Sequence, residues 1–446
     1  MNKNFFKNMF RLALPIAMQQ LLVSCAQLVD TAMVTRLGNV VVSSIGVSSR
    51  WIFLMNLFYF GISSGSAAMI SQFWGAKEKK NIKKSYGIAL IFGAAVAILF
   101  TLAMFFFPQY LIRVFTSEQA VIDTSAQYMQ IVAFMGIFSA FNQITCTALR
   151  ATERVNPPLI TSFAAVALNT LLNYVLIYGK LGFPALGVKG AAIATVTARY
   201  VEAATVIIYT HTKTTLYPFI KGLYKTLLIP LDLSKKFFAK GFPLLINEAL
   251  WSGGVAMLSQ CYSTRGLSVV AGLNIANTIY NVFSVVFIAM GNAVSIIVGQ
   301  LLGAKKMDEA RDTDRKLIAF AVASCTAVAI VLLCAAPFFP KLYNTTEQAR
   351  TVAMQFIIAQ ALFMPKDAFL NAAYFTLRSG GKTIVTFLFD SVFMWVVSVA
   401  LAFILSRFTG IGAIYMFLII QTADFIKCAI GYILVKKGFW IQNITN

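Results

Sequence analysis

Carboxylates are scarce in this chain. Only 16 Asp and Glu stand against 37 Lys and Arg in 446 residues, and charged residues make up 12% of the whole. A soluble globular protein carries about 25%, so a soluble domain of any size is excluded. Histidine is almost missing: His211 is the only one, and it lies where an apolar run meets a Lys-containing loop, the position of an interfacial residue. The six cysteines (Cys25, Cys146, Cys261, Cys325, Cys334, Cys428) lie inside apolar runs with no short spacing between any two. That excludes a disulfide framework and a zinc site. Neither a glycine-rich phosphate loop nor a metal-ligand cluster is present, so no nucleotide, cofactor or enzymatic activity is expected.

What the chain has in abundance is apolar surface. It is 59% hydrophobic with a mean hydropathy of +0.76. Nearly uncharged windows of about twenty residues, enough to cross roughly 30 Å of hydrocarbon, recur along its whole length. They lie near 12–35, 44–73, 85–107, 120–149, 157–179, 187–211, 240–262, 267–302, 316–338, 346–377, 383–406 and 410–435. The expected fold class is therefore all-α: a polytopic membrane protein with twelve transmembrane helices. The stretch Met1 to Arg11 is basic, but no small-residue cleavage site closes the apolar run after it, so this run reads as a retained first span.

The basic residues report orientation. Connections on one side of the membrane hold 25 of the 37 Lys and Arg and those on the other side 9. The rich set includes the run Lys77 to Lys84, Arg150, Arg154, the 212–239 stretch with Lys240, and Lys305 to Lys316. Basic loops face the cytoplasm, so both termini are expected there, in a multi-pass protein of the cell (plasma or inner) membrane. The net charge of +21 is spread over short connections rather than clustered on a domain, so nucleic acid is not an expected partner. Anionic membrane lipids are. Three bases, Arg199, Lys366 and Lys427, fall inside apolar windows instead.

The two halves match at a constant offset of 228 residues: Pro15 with Pro243, Gly38 with Gly266, Gly75-Ala76-Lys77 with Gly303-Ala304-Lys305, and Leu149-Arg150 with Leu377-Arg378. Six spans separate equivalents, so the repeat is parallel, with a pseudo-two-fold along the membrane normal. Such repeats place a substrate site between lobes near mid-membrane. The expected organisation is an N-terminal lobe over 1–211, a cytoplasmic basic linker over 212–239 and a C-terminal lobe over 240–446, acting as a monomer.

Ionisable groups at membrane depth are functional candidates by default. Asp30 shares a helical face with Gln20, Ser24, Gln27 and Thr31, spaced four, three and four apart. That face points at protein or water, which suits proton or ligand binding. Glu248 follows Asn247 soon after Pro243, and Asp367 sits beside Lys366 just after Pro365, so the two acids are candidates to face each other. Pairing with Lys366 would instead keep Asp367 ionised. Asp424 has Lys427 one turn on as a local partner, and Arg199 has Glu202. Asn169 and Asn173, and the series Asn274, Asn277, Asn281 and Ser284, form one-face stripes that either bridge helices or line a cavity.

The segments LALPIAMQQLL with VDTAMVTRLG, ISQFWGAK, LNTLLNYVLIYG, LGVKGAAIAT, GFPLLINEAL and VGQLLGAK, in this order, resemble the multidrug and toxic compound extrusion (MATE) family over nearly the whole chain. The resemblance implies two six-helix lobes that rock between inward- and outward-open forms, exchanging protons or sodium for small organic compounds. Asp30 matches the family's first-span aspartate, with Asn169, Asn173 and Thr195 as its surroundings. Asn173 in place of an aspartate points to the NorM-type rather than the DinF-type branch, and Glu248 and Asp367 fit that branch's second-lobe acids. Phe363 stands where some sodium-coupled members have a tyrosine, which removes an oxygen ligand; with Lys366 nearby, protons are the expected coupling ion and sodium the alternative. The expected function is a secondary antiporter exporting cationic or amphipathic compounds. A lipid or lipid-linked oligosaccharide flippase is the rival reading, and a channel the more distant one.

Overall fold

A computed structural model describes residues 3–217, 219–223, 231–343 and 345–443. Among these residues twelve long helices follow one another: α1 Lys3–Thr35, α2 Asn39–Gly75 and α3 Lys79–Phe106; α4 Gln119–Ala151, tightened into a 3₁₀ turn at Ala133–Met135; α5 Asn156–Tyr178 and α6 Val188–Thr212; α7 Leu231–Ser263, α8 Leu267–Gly303, α9 Met307–Ala335 and α10 Glu347–Ser379; α11 Thr383–Phe408 and α12 Ala413–Lys437. No strand occurs among the described residues. Each of the twelve apolar windows falls on one of these helices, and the chain is an all-α, multi-pass membrane protein.

Helices are the expected solution because lipid offers backbone N–H and C=O groups no partner. Many exceed the hydrocarbon thickness: at about 1.5 Å per residue, the 37 residues of α2 span roughly 55 Å. Their ends therefore project into the polar zones. α9 starts well before its apolar window, with Asp308 and Glu309 in its first turn, where acids complement the helix dipole. Among the described residues ten helices are long and apolar enough to cross a membrane. The other two, α7 and α10, have 33 residues each but interrupt their apolar stretch with Asn247-Glu248 and Lys366-Asp367. The outward faces carry exposed apolar side chains such as Leu99, Ile160 and Ile208, which suit lipid rather than water.

The chain divides into two compact units. One comprises Met18–Trp74 and Glu78–Leu245, the other Met1–Ala17, Gly75–Lys77 and Ile246–Asn446. In the first unit, Ile70, Tyr86, Leu149 and Val206 form part of a core that also takes in Tyr217, Phe219 and Leu223. Those three lie in the stretch read as linker, of which 218 and 224–230 fall outside the described residues; α7 begins within it, at Leu231. In the second unit Ala276, Cys325, Phe356, Met364 and Met416 share a core. Here α8 and α10 approach closely, and Gly291 permits it, since a Cβ there would lie 2.2 Å from Asn371 Oδ1.

The sequence repeat has a backbone counterpart. Gly38 and Gly266 adopt φ of 99° and 110°, and Lys77 and Lys305 both adopt 61°, a left-handed conformation uncommon for a lysine. In α11 the segments Leu388–Val392 and Met394–Val399 are π-helical. Single π turns recur at functional sites because they re-aim side chains, and this one carries Asp390 and Ser391.

Candidate functional site

The first unit encloses a cavity of about 740 Å³, walled by α1, α2, α4, α5 and α6. Asp30 lies on its wall. Asn173, buried on α5, donates to Asp30 Oδ1 over 2.8 Å. Asn169, with its amide nitrogen turned toward the carboxylate, donates to both oxygens at 3.0 Å. Gln27 and Thr195 line the same space, the Thr195 hydroxyl donating to Ala191 O at 2.9 Å. Asn169, Asn173 and Asp30 thus form one cluster, held by neutral donors, and among the described residues no Lys or Arg lies within ion-pair distance of Asp30.

Further along α6, Glu202 is almost fully buried, with Arg199 Nη1 donating to Oε2 at 2.6 Å and Ser162 Oγ to Oε1 at 2.8 Å. Gln19 in turn donates to Ser162 Oγ at 2.8 Å. The Arg199–Glu202 pairing expected from spacing is present. Sequence reading did not single out Ser162 or Gln19, since an isolated serine or glutamine in an apolar window carries no distinguishing pattern.

The second unit holds two separate polar groups. In one, Tyr374 OH donates to Glu248 Oε1 at 2.9 Å, Asn247 donates to Asp390 Oδ2 at 3.1 Å, and Ser391 Oγ donates to the carbonyl and side-chain oxygens of Asn247 at 2.7 and 2.8 Å. Lys427 Nζ closes this group on Asp390 Oδ1 at 2.7 Å. In the other, Lys366 Nζ lies 3.0 Å from Asp367 Oδ1 and 3.2 Å from Asp424 Oδ2 and also donates to Gln421. Ser398 completes the shell of Asp424, and Tyr280 OH donates to Asp367 Oδ2 at 2.7 Å.

Two expectations change here. Glu248 and Asp367 do not face each other as a pair; each belongs to its own group, Glu248 under Tyr374 and Asp367 under Tyr280 and Lys366. Lys427 pairs with Asp390 on α11 rather than with Asp424 on its own helix, because α10 and α11 bring Lys366 and Ser398 to Asp424. Phe363 does lack a hydroxyl, but Tyr280 supplies one to Asp367 from α8, and the Phe363 ring packs under the Lys366 ammonium at 5.3 Å. Of the amide stripe, Asn277 accepts from Gln360 at 2.8 Å, while Asn274 is exposed. The two tyrosines escaped sequence reading because nothing distinguishes them among 16.

Charge balance sorts the acids. Asp367, Asp390, Asp424 and Glu202 each have a cation within 4 Å, whereas Asp30 and Glu248 are held by amides and a phenol. Neutralising an ion-paired carboxylate strands a buried cation, whereas neutralising one held by neutral donors strands none.

The MatE family model matches residues 15–175 and 243–404. Among curated proteins, the chain is 25% identical over 408 residues to the probable multidrug resistance protein YoeA of Bacillus subtilis, covering 91% of this chain and 88% of that one. It is 26% identical over 423 residues to the probable multidrug resistance protein NorM of Bradyrhizobium diazoefficiens, covering 92% and 88%. Among solved structures, the MATE transporter VcmN of Vibrio cholerae superposes with a TM-score of 0.89 at 17% identity, over 99% of this chain and 98% of that one. A MOP superfamily transporter from Pyrococcus furiosus gives 0.86 at 19%, over 97% and 95%.

Proposed function

The chain belongs to the MatE family, and on that premise we propose that it is a secondary active antiporter, exporting small amphipathic organic compounds from the cytoplasm in exchange for protons by alternating access. The observation that carries this reading is Asp30: a carboxylate on the wall of a drug-sized cavity, held by two amides and no cation. Cavities of roughly 300–1,000 Å³ suit drug-sized ligands. A proton and a substrate cation are alternative partners for that carboxylate, and competition between them is antiport.

Glu248 is the second exchangeable acid. Asp367 is fixed as a counter-ion of Lys366, whose ammonium occupies the space between two carboxylates that a sodium ion would need. The names of the curated relatives support multidrug substrates, and the basic loops support cytoplasmic termini in the cell membrane. A pyrophosphate-handling flippase would need several free bases in its cavity, and here Arg199 is committed to Glu202, which leaves Arg150 as a single base on the wall. The test is export of a fluorescent cationic dye into everted vesicles under an imposed pH gradient. Wild type is expected to respond to the gradient and Asp30→Asn not to; export by Asp30→Asn at the wild-type rate would overturn the reading.

A further inference from the structure

Each unit holds a cluster of ionisable groups, and the two clusters share a plan. In the second unit, Asn247 on α7 donates to Asp390 on α11, Lys427 on α12 closes on Asp390, and Arg378 and Asp390 are the charged neighbours of Glu248. In the first, Gln19 on α1 donates to Ser162 on α5, Ser162 donates to Glu202 on α6, and Arg199 closes on Glu202. Arg150 on α4 has Glu202 as its charged neighbour.

The 228-residue repeat carries Gln19 onto Asn247, Gln20 onto Glu248, Arg150 onto Arg378 and Ser162 onto Asp390. The backbone keeps this register. Glu153 and Gly381, also 228 apart, take left-handed φ of 63° and 71°, and their N–H groups donate to Arg150 O and Arg378 O at 3.0 and 2.9 Å. The donations from Gln19 to Ser162 and from Asn247 to Asp390 each span 143 residues, so the same hydrogen bond occurs in both copies.

Two positions differ in chemistry. Ser162 stands where Asp390 stands, and Glu202 on the neighbouring helix supplies the acid instead. Gln20 stands where Glu248 stands, on the wall of the 740 Å³ cavity with Gln19, Arg150 and Glu202. Asp30 does not replace the missing carboxylate there, since it lies ten residues further along α1, about 15 Å by helix rise. A glutamine has nearly the shape of a protonated glutamic acid but releases no proton. The charges agree with that identity. Arg150 and Arg199 against Glu202 leave one positive charge, and Arg378 and Lys427 against Asp390 leave the same when Glu248 is protonated. Ionised Glu248 brings the second cluster to neutrality; the first has no such step.

We propose that Gln20 sets the number of coupling protons: it holds the first unit's copy of the Glu248 site permanently in the protonated form, so that this unit exchanges its proton at Asp30 alone. A glutamine on a cavity wall otherwise reads as a substrate contact. A carboxylate at position 20 would share its cavity with Arg150 and Cys146 from α4, Arg199 and Glu202 from α6 and uncharged residues of α2, with Tyr128 and Asp30 further along the wall. Glu248 has Arg378 and Tyr374 from α10, Asp390 from α11 and, through Asp390, Lys427 from α12. The inference deepens the export reading and rests on it for Glu248 as a coupling acid.

The test is the opposing gradient of a monocationic dye at which net flux vanishes, in proteoliposomes clamped at zero potential with one pH unit imposed. This balance point is thermodynamic, so a variant that is slow or binds dye weakly does not move it, whereas each coupled proton raises it about tenfold. The expected values are about a hundredfold in wild type, about tenfold in Glu248→Gln, about a thousandfold in Gln20→Glu, and about a hundredfold again when both changes are combined. A double variant that stays with Glu248→Gln, and a Gln20→Glu that stays with wild type, overturn the proposal and leave Glu248 as a coupling acid. The wild-type balance in Glu248→Gln, together with a raised one in Gln20→Glu, supports the proposal and contradicts the coupling role of Glu248. Gln20→Asp carries the same comparison if Gln20→Glu does not fold. Failure of both to fold would show that the site cannot hold a carboxylate, and overturns the proposal.

Discussion

Asn173 donates to Asp30 over 2.8 Å across 143 residues of sequence, tying α5 to α1 at the cavity wall. With Asn169 on the other flank, the carboxylate keeps its place whether or not it carries a proton. Asp30→Asn is therefore expected to retain expression and a folding stability within about 1–2 kcal/mol of wild type, the scale of one hydrogen bond, while coupled export falls to background. Thermal unfolding in detergent and vesicle export, measured on the same preparation, separate the two effects. Loss of both together would mean that Asp30 is structural.

On the proposed reading, Glu248 governs the electrical side of transport. Exchanging one proton for one monovalent cation moves no net charge, so only the pH gradient drives it, at about 1.4 kcal/mol per unit. A second proton adds that again and roughly 2.3 kcal/mol per 100 mV of membrane potential. Export of a monocationic dye is expected to be electrogenic in wild type, and Glu248→Gln to lose sensitivity to potential while keeping some pH-driven export. Proteoliposomes clamped with valinomycin measure this; unchanged dependence on potential in the variant would show that Glu248 carries no coupling proton.

Lys366 bridges Asp367 and Asp424, and removing it strands two partly buried carboxylates. Lys366→Met is expected to cost about 3–5 kcal/mol, as for other broken buried pairs, and to make the protein responsive to sodium, which can take the vacated place. The readout is the thermal midpoint with sodium or choline chloride at equal ionic strength. Sodium is expected to raise it in Lys366→Met and not in wild type; stabilisation of wild type by sodium would contradict the assignment of Lys366 as the resident cation.

Much of this architecture is legible in the sequence. Apolar windows locate all twelve helices, and the 228-residue repeat anticipates the matching backbone of Lys77 and Lys305. Spacing on one helix face finds Asn169 and Asn173, and three-residue spacing finds the Arg199–Glu202 pair. Pairing between helices is not legible. Lys427 chose Asp390 over the nearer Asp424, and Tyr280 and Tyr374 act through hydroxyls that reach across from other helices. Such partners depend on packing angles that no local pattern encodes. Arg150, on the cavity wall, escaped notice for another reason: a base at a helix end satisfies the topology rule and draws no further attention.

The basic loops set the expected sidedness. In a chain lacking the six native cysteines, Lys80→Cys and Lys306→Cys are expected to resist a membrane-impermeant thiol reagent in intact cells, and Leu267→Cys, at an 87% exposed position, to react. Reaction at position 80 without permeabilisation would invert the topology.

The central claim is that protons entering at Asp30 drive export. Purified protein in proteoliposomes, given a pH gradient and a sodium gradient separately and followed by dye accumulation, tests it most directly. The expected result is accumulation driven by the pH gradient alone, absent in Asp30→Asn. Accumulation driven by sodium at uniform pH, or a pH-driven signal that survives in Asp30→Asn, would contradict it.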